Sequence, residues 1–187
     1  MVERVVLMGL SAGAYSAIRQ GMLLSCATFP RRQPQITSFA INPQTGFRYD
    51  LLHRILQAVE TEKWEKGMLG RDPIVLNQYR PDLCQSPGCD IALFAKQLPY
   101  QENGKFHILY DQGNPIDRLF AEDLRGLPGF HHHPAPLGLS HGLSGQRLWR
   151  ELWQSGRIAE ALDDSADFPA SLARLSELPV GRSFAVC

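Results

Sequence analysis

The pentapeptide GLSAG at residues 9–13 has the residue types and spacing of a serine held on a sharp turn. The apolar run at residues 4–8 is typical of a strand buried on both faces of a parallel sheet. After the turn, apolar residues recur at helical spacing, as Ala14, Ile18 and Met22. A serine on a strand-to-helix turn has unfavourable backbone angles and needs small neighbours two positions away. We therefore predict that Ser11 is a nucleophile and that the Ala12 amide, at a helix N-terminus, stabilises an oxyanion.

Strands and helices are expected to alternate along the rest of the chain. Apolar runs predict further strands at 36–41 and 106–110 and a poor fourth strand within 128–137. Helical periodicity follows each strand, within 51–59, 91–98, 116–124 and 148–158. The alternation predicts an α/β fold with a mostly parallel sheet. We expect a single domain over residues 1–187, loop-rich at 63–90, with a weakly structured tail at 163–187.

The segment RVVLMGLSAGAYSAI, residues 4–18, resembles the nucleophile-elbow segment of the α/β-hydrolase superfamily. Its small residues and Tyr15 resemble the S-x-G-G-Y form of esterases and some acyltransferases, with Ala14 in place of the second glycine. The FAINPQT segment, residues 39–45, resembles hydrolase-like proteins associated with bacterial surface polysaccharides. The resemblance covers roughly residues 2–160 in the order of elements, while only the elbow matches in its motif. It implies a three-layer α/β/α sandwich and the chain order serine, acid, histidine.

The resemblance places an acid beyond the third predicted strand and a histidine before the last helix. Asp117, which begins a helix after a turn, lies where the superfamily's acid falls. Asp111, directly at the end of the strand, is the alternative, and Asp50 after the second strand is a more distant one. As a structural role, Asp117 would complement a helix dipole.

A general base has to reach the serine hydroxyl from a loop above the sheet edge. His141 lies in such a loop, the Gly/Ser-rich residues 138–145, and is the predicted base. His107 alternates within a strand and is interpreted as a packed imidazole. The run His131, His132 and His133 stays an alternative, although neighbouring strand residues point to opposite faces and all three cannot converge on one point.

These residues together predict acyl chemistry. His141 removes the proton of Ser11, which attacks an acyl carbonyl, and Asp117 stabilises the imidazolium. An acyl-enzyme that reacts with water makes the protein an esterase, and one that reacts with a saccharide or another alcohol makes it an O-acyltransferase. No cofactor and no metal are expected for this chemistry.

Several strands precede the elbow in the superfamily, and a loop after one of them supplies a second oxyanion amide. Ser11 lies near the first residue of the sequence, so we expect a truncated α/β-hydrolase fold, the C-terminal part of a longer hydrolase. The elbow strand is then expected at a sheet edge, where its apolar side chains favour pairing with another chain and a homo-oligomer. A natural minimal protein and a relative without activity are the alternatives.

A zinc site and a non-catalytic interaction module are the competing functions. Zinc would accept Cys84 and Cys89 together with the histidine run, but the two cysteines lack the two-residue spacing of common zinc knuckles. They flank a turn, so loop thiols are the better interpretation, and a disulfide between them stays open. An interaction module that keeps the fold would use tryptophan anchors, namely Trp64, Trp149 and Trp153, although the last two have the spacing of core residues.

Composition excludes several classes of protein. The chain has 19 Lys and Arg against 19 Asp and Glu, so no net charge attracts it to nucleic acid or to anionic lipid. No apolar run is long enough to span a bilayer, and the N-terminal residues do not form a signal peptide. Four widely spaced cysteines are typical of a reducing compartment. We expect a cytoplasmic protein with a small-molecule or saccharide ester as substrate.

Overall fold

A computed structural model describes residues 2–46, 48–61, 87–98, 100 and 104–154. Its strands are β1 (Arg4–Leu10), β2 (Gln35–Ile41), β3 (Gly104–Asp111) and β4 (Phe130–Ala135). Its helices are α1 (Ala12–Cys26), α2 (Tyr49–Thr61), α3 (Ile91–Gln97), α4 (Pro115–Glu122) and α5 (His141–Gln154), with a 3₁₀ turn at Pro87–Cys89. Within these described ranges no helix is long and apolar enough to cross a membrane. The tail predicted at 163–187, Trp64 and Cys84 lie outside the described residues.

The four strands form one parallel sheet in the order β1-β2-β3-β4. This confirms the predicted α/β fold, including the fourth strand that the sequence indicated only weakly. Leu10 pairs with Ile41, and Ile41 pairs with Leu109, so the carboxyl ends of β1, β2 and β3 meet at one edge of the sheet. Residues at the ends of these strands therefore lie close together: Ser11 and Asn42 directly follow β1 and β2, and Asp111 is the last residue of β3.

Apolar side chains cover both faces of the sheet. On one face, helices α1, α3 and α4 contribute to a buried cluster with β2 and β3, which includes Ile18, Met22, Ile91, Phe106, Ile108, Tyr110 and Ala121. On the other face, Leu148 and Leu152 of α5 pack on Phe39, Ile41 and Leu109. Burial of each such side chain contributes about 1.5–3 kcal/mol, so the helices that carry the site are held firmly against the sheet.

Strand β1 lies at the edge of the described sheet. The side chains from Val5 to Leu7 are only half-buried there, whereas β3 is buried from Phe106 to Asp111. A cleft of about 670 Å³ lies beside β1, and Met8, Leu10, Trp149 and Trp153 are among the residues that line it. Self-association through this edge stays a prediction.

The two tryptophans of α5 do not lie in the core. Their rings stack with centroids 6.3 Å apart, and Trp149 is 37% and Trp153 65% exposed. The spacing that suggested core residues belongs equally to the neighbouring Leu148 and Leu152, which are fully buried. Two helix faces that differ by one residue position have the same i, i+4 spacing, so the spacing alone does not show which of them is buried.

Candidate active site

Ser11 is the single residue between the end of β1 and the start of α1. Its backbone angles, φ 56° and ψ −118°, lie in a region that side-chain-bearing residues rarely adopt. The Ser11 amide donates to the Ile41 carbonyl at 2.9 Å, which fixes the turn to β2. The Ser11 side chain makes no capping hydrogen bond to α1, so its hydroxyl is available to another partner. Ala12 is exposed and is the first residue of α1. Its backbone amide therefore points out of the N-terminal end of the helix, where Ser11 lies.

The two glycines of the turn differ in what the fold requires of them. A Cβ at position 9 would lie 2.1 Å from the Gly13 carbonyl oxygen, so the backbones of β1 and α1 approach too closely for any side chain there. A Cβ at Gly13 would meet nothing within 4 Å. Of the two flanking positions that were expected to need small residues, the fold therefore requires a glycine only at position 9.

Ser11, His141 and Asp117 form a continuous hydrogen-bonded chain. The Ser11 hydroxyl donates to Nε2 of His141 at a distance of 2.7 Å, although 130 positions separate the two residues. With its proton on Nδ1, the His141 ring donates to Oδ1 of Asp117 at a distance of 2.5 Å. The Asp117 side chain is completely buried, and that of His141 is 15% exposed. The structure thus brings together the three side chains that the sequence predicted as nucleophile, base and acid.

His141 begins α5 instead of lying in a loop that extends to residue 145. The Ser144 amide donates to the Ser140 carbonyl at 2.9 Å, which closes the first helical turn. Gly142 and Gly145, which suggested a loop, are helical here, whereas Gly138 precedes the helix with φ 63°. A Cβ at Gly145 would lie 2.5 Å from the end of the Leu10 side chain, which would have to move. His141 therefore has the fixed backbone of a helix rather than the freedom of a loop.

The environment of Asp117 combines burial with specific donors. Burial raises the pKa of the Asp117 carboxyl above its ordinary value, and hydrogen bonds from His141 and Ser144 oppose that rise. The nearby charge of Asp111 raises the same pKa further. The donors favour the ionised carboxylate, which is the form that orients a protonated imidazole.

Asp111, the alternative acid, is occupied by backbone amides. Its Oδ1 accepts from the amides of Gly113, Leu137 and Gly138 at 2.9–3.0 Å, and its Oδ2 accepts from Leu139 at 2.8 Å. The carboxylate therefore holds the segment that leads from β4 to α5. Asp50, the third candidate acid, is exposed on α2 and pairs with Arg48 at 3.3 Å.

Sequence reasoning missed two buried residues that contact this site. Asn42 follows β2 with φ 44°, a left-handed conformation that asparagine tolerates better than most residues. Its amide nitrogen lies 2.7 Å from the Ser144 hydroxyl and 3.2 Å from the His141 carbonyl. The Ser144 hydroxyl lies 3.2 Å from Oδ2 of Asp117. The available signal was a polar residue directly after a predicted strand, at the sheet edge that carries Ser11.

The histidine run lies on β4, with alternate residues on opposite faces. His133 lies 3.0 Å from His107 through their ring nitrogens, and the His131 ring stacks on His107 with centroids 5.3 Å apart. His132 instead contacts Tyr110 edge-on. Burial is the main cause that lowers the pKa of His107 to about 2 and that of His133 to about 4.

No metal-ligand group appears among the side chains that the structure describes. Within them, no three residues of the His, Cys, Asp or Glu types are grouped closely enough to hold a metal ion. Cys89 is a free thiol, and Cys84 lies outside the described residues.

The resemblance to α/β-hydrolases rests on the residues of the elbow segment. No protein-family model matches this chain, and no curated protein matches it either.

Proposed function

We propose that the protein is a serine-dependent acyl-ester hydrolase with Ser11 as nucleophile, His141 as general base and Asp117 as the carboxylate that orients it. One observation carries the proposal: the unbroken hydrogen-bonded chain from Ser11 Oγ through His141 to Asp117. A parallel sheet with a strand-turn-helix at the nucleophile supports a three-layer α/β-hydrolase-like fold for the chain.

The proposed reaction has two halves. In the first, His141 Nε2 takes the Ser11 proton as Oγ bonds to the ester carbonyl carbon, and the carbonyl oxygen becomes an oxyanion. The Ala12 amide is one donor to that oxyanion, an interaction worth about 2.7–4 kcal/mol in sites of this type. Collapse of the intermediate breaks the bond to the leaving alcohol, which receives the proton from His141 and leaves an acyl-enzyme.

In the second half, an acceptor hydroxyl attacks the acyl-enzyme while His141 takes its proton, and Ser11 is released with its proton restored. The surroundings favour water as the acceptor. Ser11 is half-buried, while Ala12, Gly13, Gly142 and Leu143 around it are exposed in the part of the chain that the structure describes. An acyltransferase has to limit water at this step. Exposed neighbours therefore support a hydrolase over the alternative O-acyltransferase.

A fluorophosphonate probe tests the proposal without knowledge of the substrate, because it phosphonylates an activated serine. We expect the purified protein to be labelled at Ser11 and Ser11→Ala to lose the label. Ser16→Ala is the matched control, since Ser16 is an exposed serine on α1, the helix that follows Ser11. The control should be labelled like the wild-type protein.

Two outcomes would overturn the proposal. Either the folded wild-type protein is not labelled, or label persists in Ser11→Ala at the wild-type level. Absence of label in the folded protein favours an interaction module instead. For a labelled protein, hydrolysis of p-nitrophenyl acetate with added methanol or glycerol then measures the partition between acid and new ester. Mostly acid is expected from a hydrolase, and mostly new ester would favour the transferase.

A further inference from the structure

We infer that Ser144 is a positioning residue for the Asp117–His141 pair and that Asn42 orients its hydroxyl; the inference rests on the proposed function. Hydrogen bonds through Ser144 and Asn42 link Asp117 and His141 to the carboxyl end of β2. They involve side chains that are fully buried, namely Asn42, Asp117 and Ser144.

Hydrogen-bond accounting fixes the direction of the Ser144 hydroxyl. The Asn42 amide group donates one N–H to Ser144 Oγ and the other to the His141 carbonyl. The single Ser144 proton then has two acceptors, Oδ2 of Asp117 at 3.2 Å and the His141 carbonyl at 3.1 Å. A carboxylate is the stronger acceptor, and the carbonyl already receives the Asn42 amide. The proton is therefore directed to Asp117.

The carboxylate of Asp117 is divided between two partners as a result. Oδ1 receives the imidazole N–H of His141 and Oδ2 receives the Ser144 hydroxyl. In the described part of the chain no other side chain donates to Oδ2. Without Ser144, a buried oxygen with negative charge loses its donor, and the carboxyl plane is free to rotate away from the imidazole.

Asn42 is itself held in place by the sheet. Its backbone amide donates to the Leu109 carbonyl at 2.8 Å, and its side-chain oxygen accepts from the Asp111 amide at 3.3 Å. The amide nitrogen is therefore turned toward α5. This arrangement fixes the first turn of α5, where His141 and Ser144 lie three residues apart, relative to the end of β2.

The test compares Ser144→Ala, Ser144→Thr and Asn42→Asp with the wild-type protein. The measured quantity is the second-order rate constant of fluorophosphonate labelling at Ser11 as a function of pH. Ser144→Ala should label about tenfold more slowly. The acid limb of its pH profile should move to higher pH. Without the Ser144 hydroxyl the Asp117 carboxylate is more basic, so the Asp117–His141 pair binds a proton more strongly. Ser144→Thr restores a hydroxyl and should recover most of the rate.

Asn42→Asp keeps the shape of the side chain, replaces the amide donor by an acceptor and adds a negative charge, so the Ser144 hydroxyl turns toward the new carboxylate and away from Asp117. This variant should reproduce the slower labelling and the shifted acid limb. Ser38→Ala is the control for loss of a buried hydroxyl, since Ser38 is fully buried and donates to the Ala17 carbonyl at 3.0 Å, away from the site. It should keep the wild-type pH profile even if it lowers the melting temperature.

The outcomes separate this inference from the proposed function. Wild-type protein without label contradicts the proposed function. Labelled wild-type protein together with an unshifted acid limb in both Ser144→Ala and Asn42→Asp contradicts the positioning role alone. If Ser144→Ala does not fold, Asn42→Asp and Ser144→Thr decide: an unshifted Asn42→Asp profile overturns the inference, and so does slow labelling by a folded Ser144→Thr.

Discussion

The Oδ2 atom of Asp111 accepts a hydrogen bond from the Leu139 amide at 2.8 Å, two residues before His141. The same carboxylate accepts the amides of Gly113, Leu137 and Gly138. The amides of residues 137–139, directly after β4, no longer have a neighbouring strand as acceptor. The buried Asp111 carboxylate accepts their hydrogen bonds instead. Asp111 therefore determines where α5 begins and, through it, where the His141 imidazole lies.

Asp111→Ala should lower the stability of the fold. The substitution leaves several amides without an acceptor, and each buried one costs about 1–3 kcal/mol unless water replaces the carboxylate. We expect the free energy of unfolding in urea to fall by about 2–4 kcal/mol, together with slower labelling of Ser11. A variant with wild-type stability would show that the segment from 136 to 140 is held by other contacts.

Asp117→Asn separates the roles of the two carboxyl groups. The side-chain amide presents an N–H to His141 where the carboxylate accepted one, so the imidazole is forced toward the tautomer that cannot accept the Ser11 proton. Esterase activity should fall about 10³- to 10⁴-fold while the fold is kept. Activity on p-nitrophenyl acetate and circular dichroism measure the two effects. Activity retained in this variant and lost in Asp111→Asn would assign the acid to Asp111.

The two glycines of the elbow form a matched pair. Gly9→Ala forces a Cβ to within 2.1 Å of the Gly13 carbonyl oxygen, so β1 and α1 have to separate. We expect a loss of about 1–3 kcal/mol or more in stability and a large loss of Ser11 labelling. Gly13→Ala places its methyl group in open space at the start of α1. It should keep the labelling and gain about 0.5–1 kcal/mol from its better helix propensity.

Thermal melting and probe labelling of both variants test this asymmetry. If Gly13→Ala lost Ser11 labelling but kept its melting temperature, the space beside Gly13 would be needed by the reaction rather than by the fold. A Gly9→Ala variant with normal melting and labelling would contradict the close approach of β1 and α1.

The elbow was predictable from sequence because its cause is local. An apolar strand, a serine and a helix within residues 4–22 determine the turn, and the backbone angles of Ser11 follow from it. The roles of Asn42 and Ser144 were not predictable, because their partners lie 102 and 27 positions away and depend on sheet register. Gly142 and Gly145 indicated a loop, but they lie in α5, whose Leu148 and Leu152 pack on the sheet and outweigh the low helix propensity of glycine.

Buried histidines on β3 and β4 should make the fold sensitive to acid. His107 and His133 are 5% and 9% exposed and hydrogen-bond to each other. Burial lowers their pKa values most, followed by repulsion from the neighbouring imidazoles when these are protonated and, for His107, from Lys105, to about 2 for His107 and about 4 for His133. In the unfolded chain both titrate near their ordinary value of 6.5. The unfolded state thus binds more protons below that pH, and stability, complete above about pH 6.5, falls as the pH decreases toward 4.

His133→Gln removes one of these titrating groups and keeps an amide able to hydrogen-bond to His107. The free energy of unfolding in urea, measured from pH 7 to pH 4.5, should decrease less steeply in this variant. The difference in slope is at most about 1.4 kcal/mol per pH unit, the limit for one proton. Ser38→Ala, which removes a buried hydroxyl and no titrating group, is the control and should keep the wild-type slope. Parallel slopes for wild type and His133→Gln would mean that His133 is protonated in the folded protein, contrary to the burial that the structure gives it.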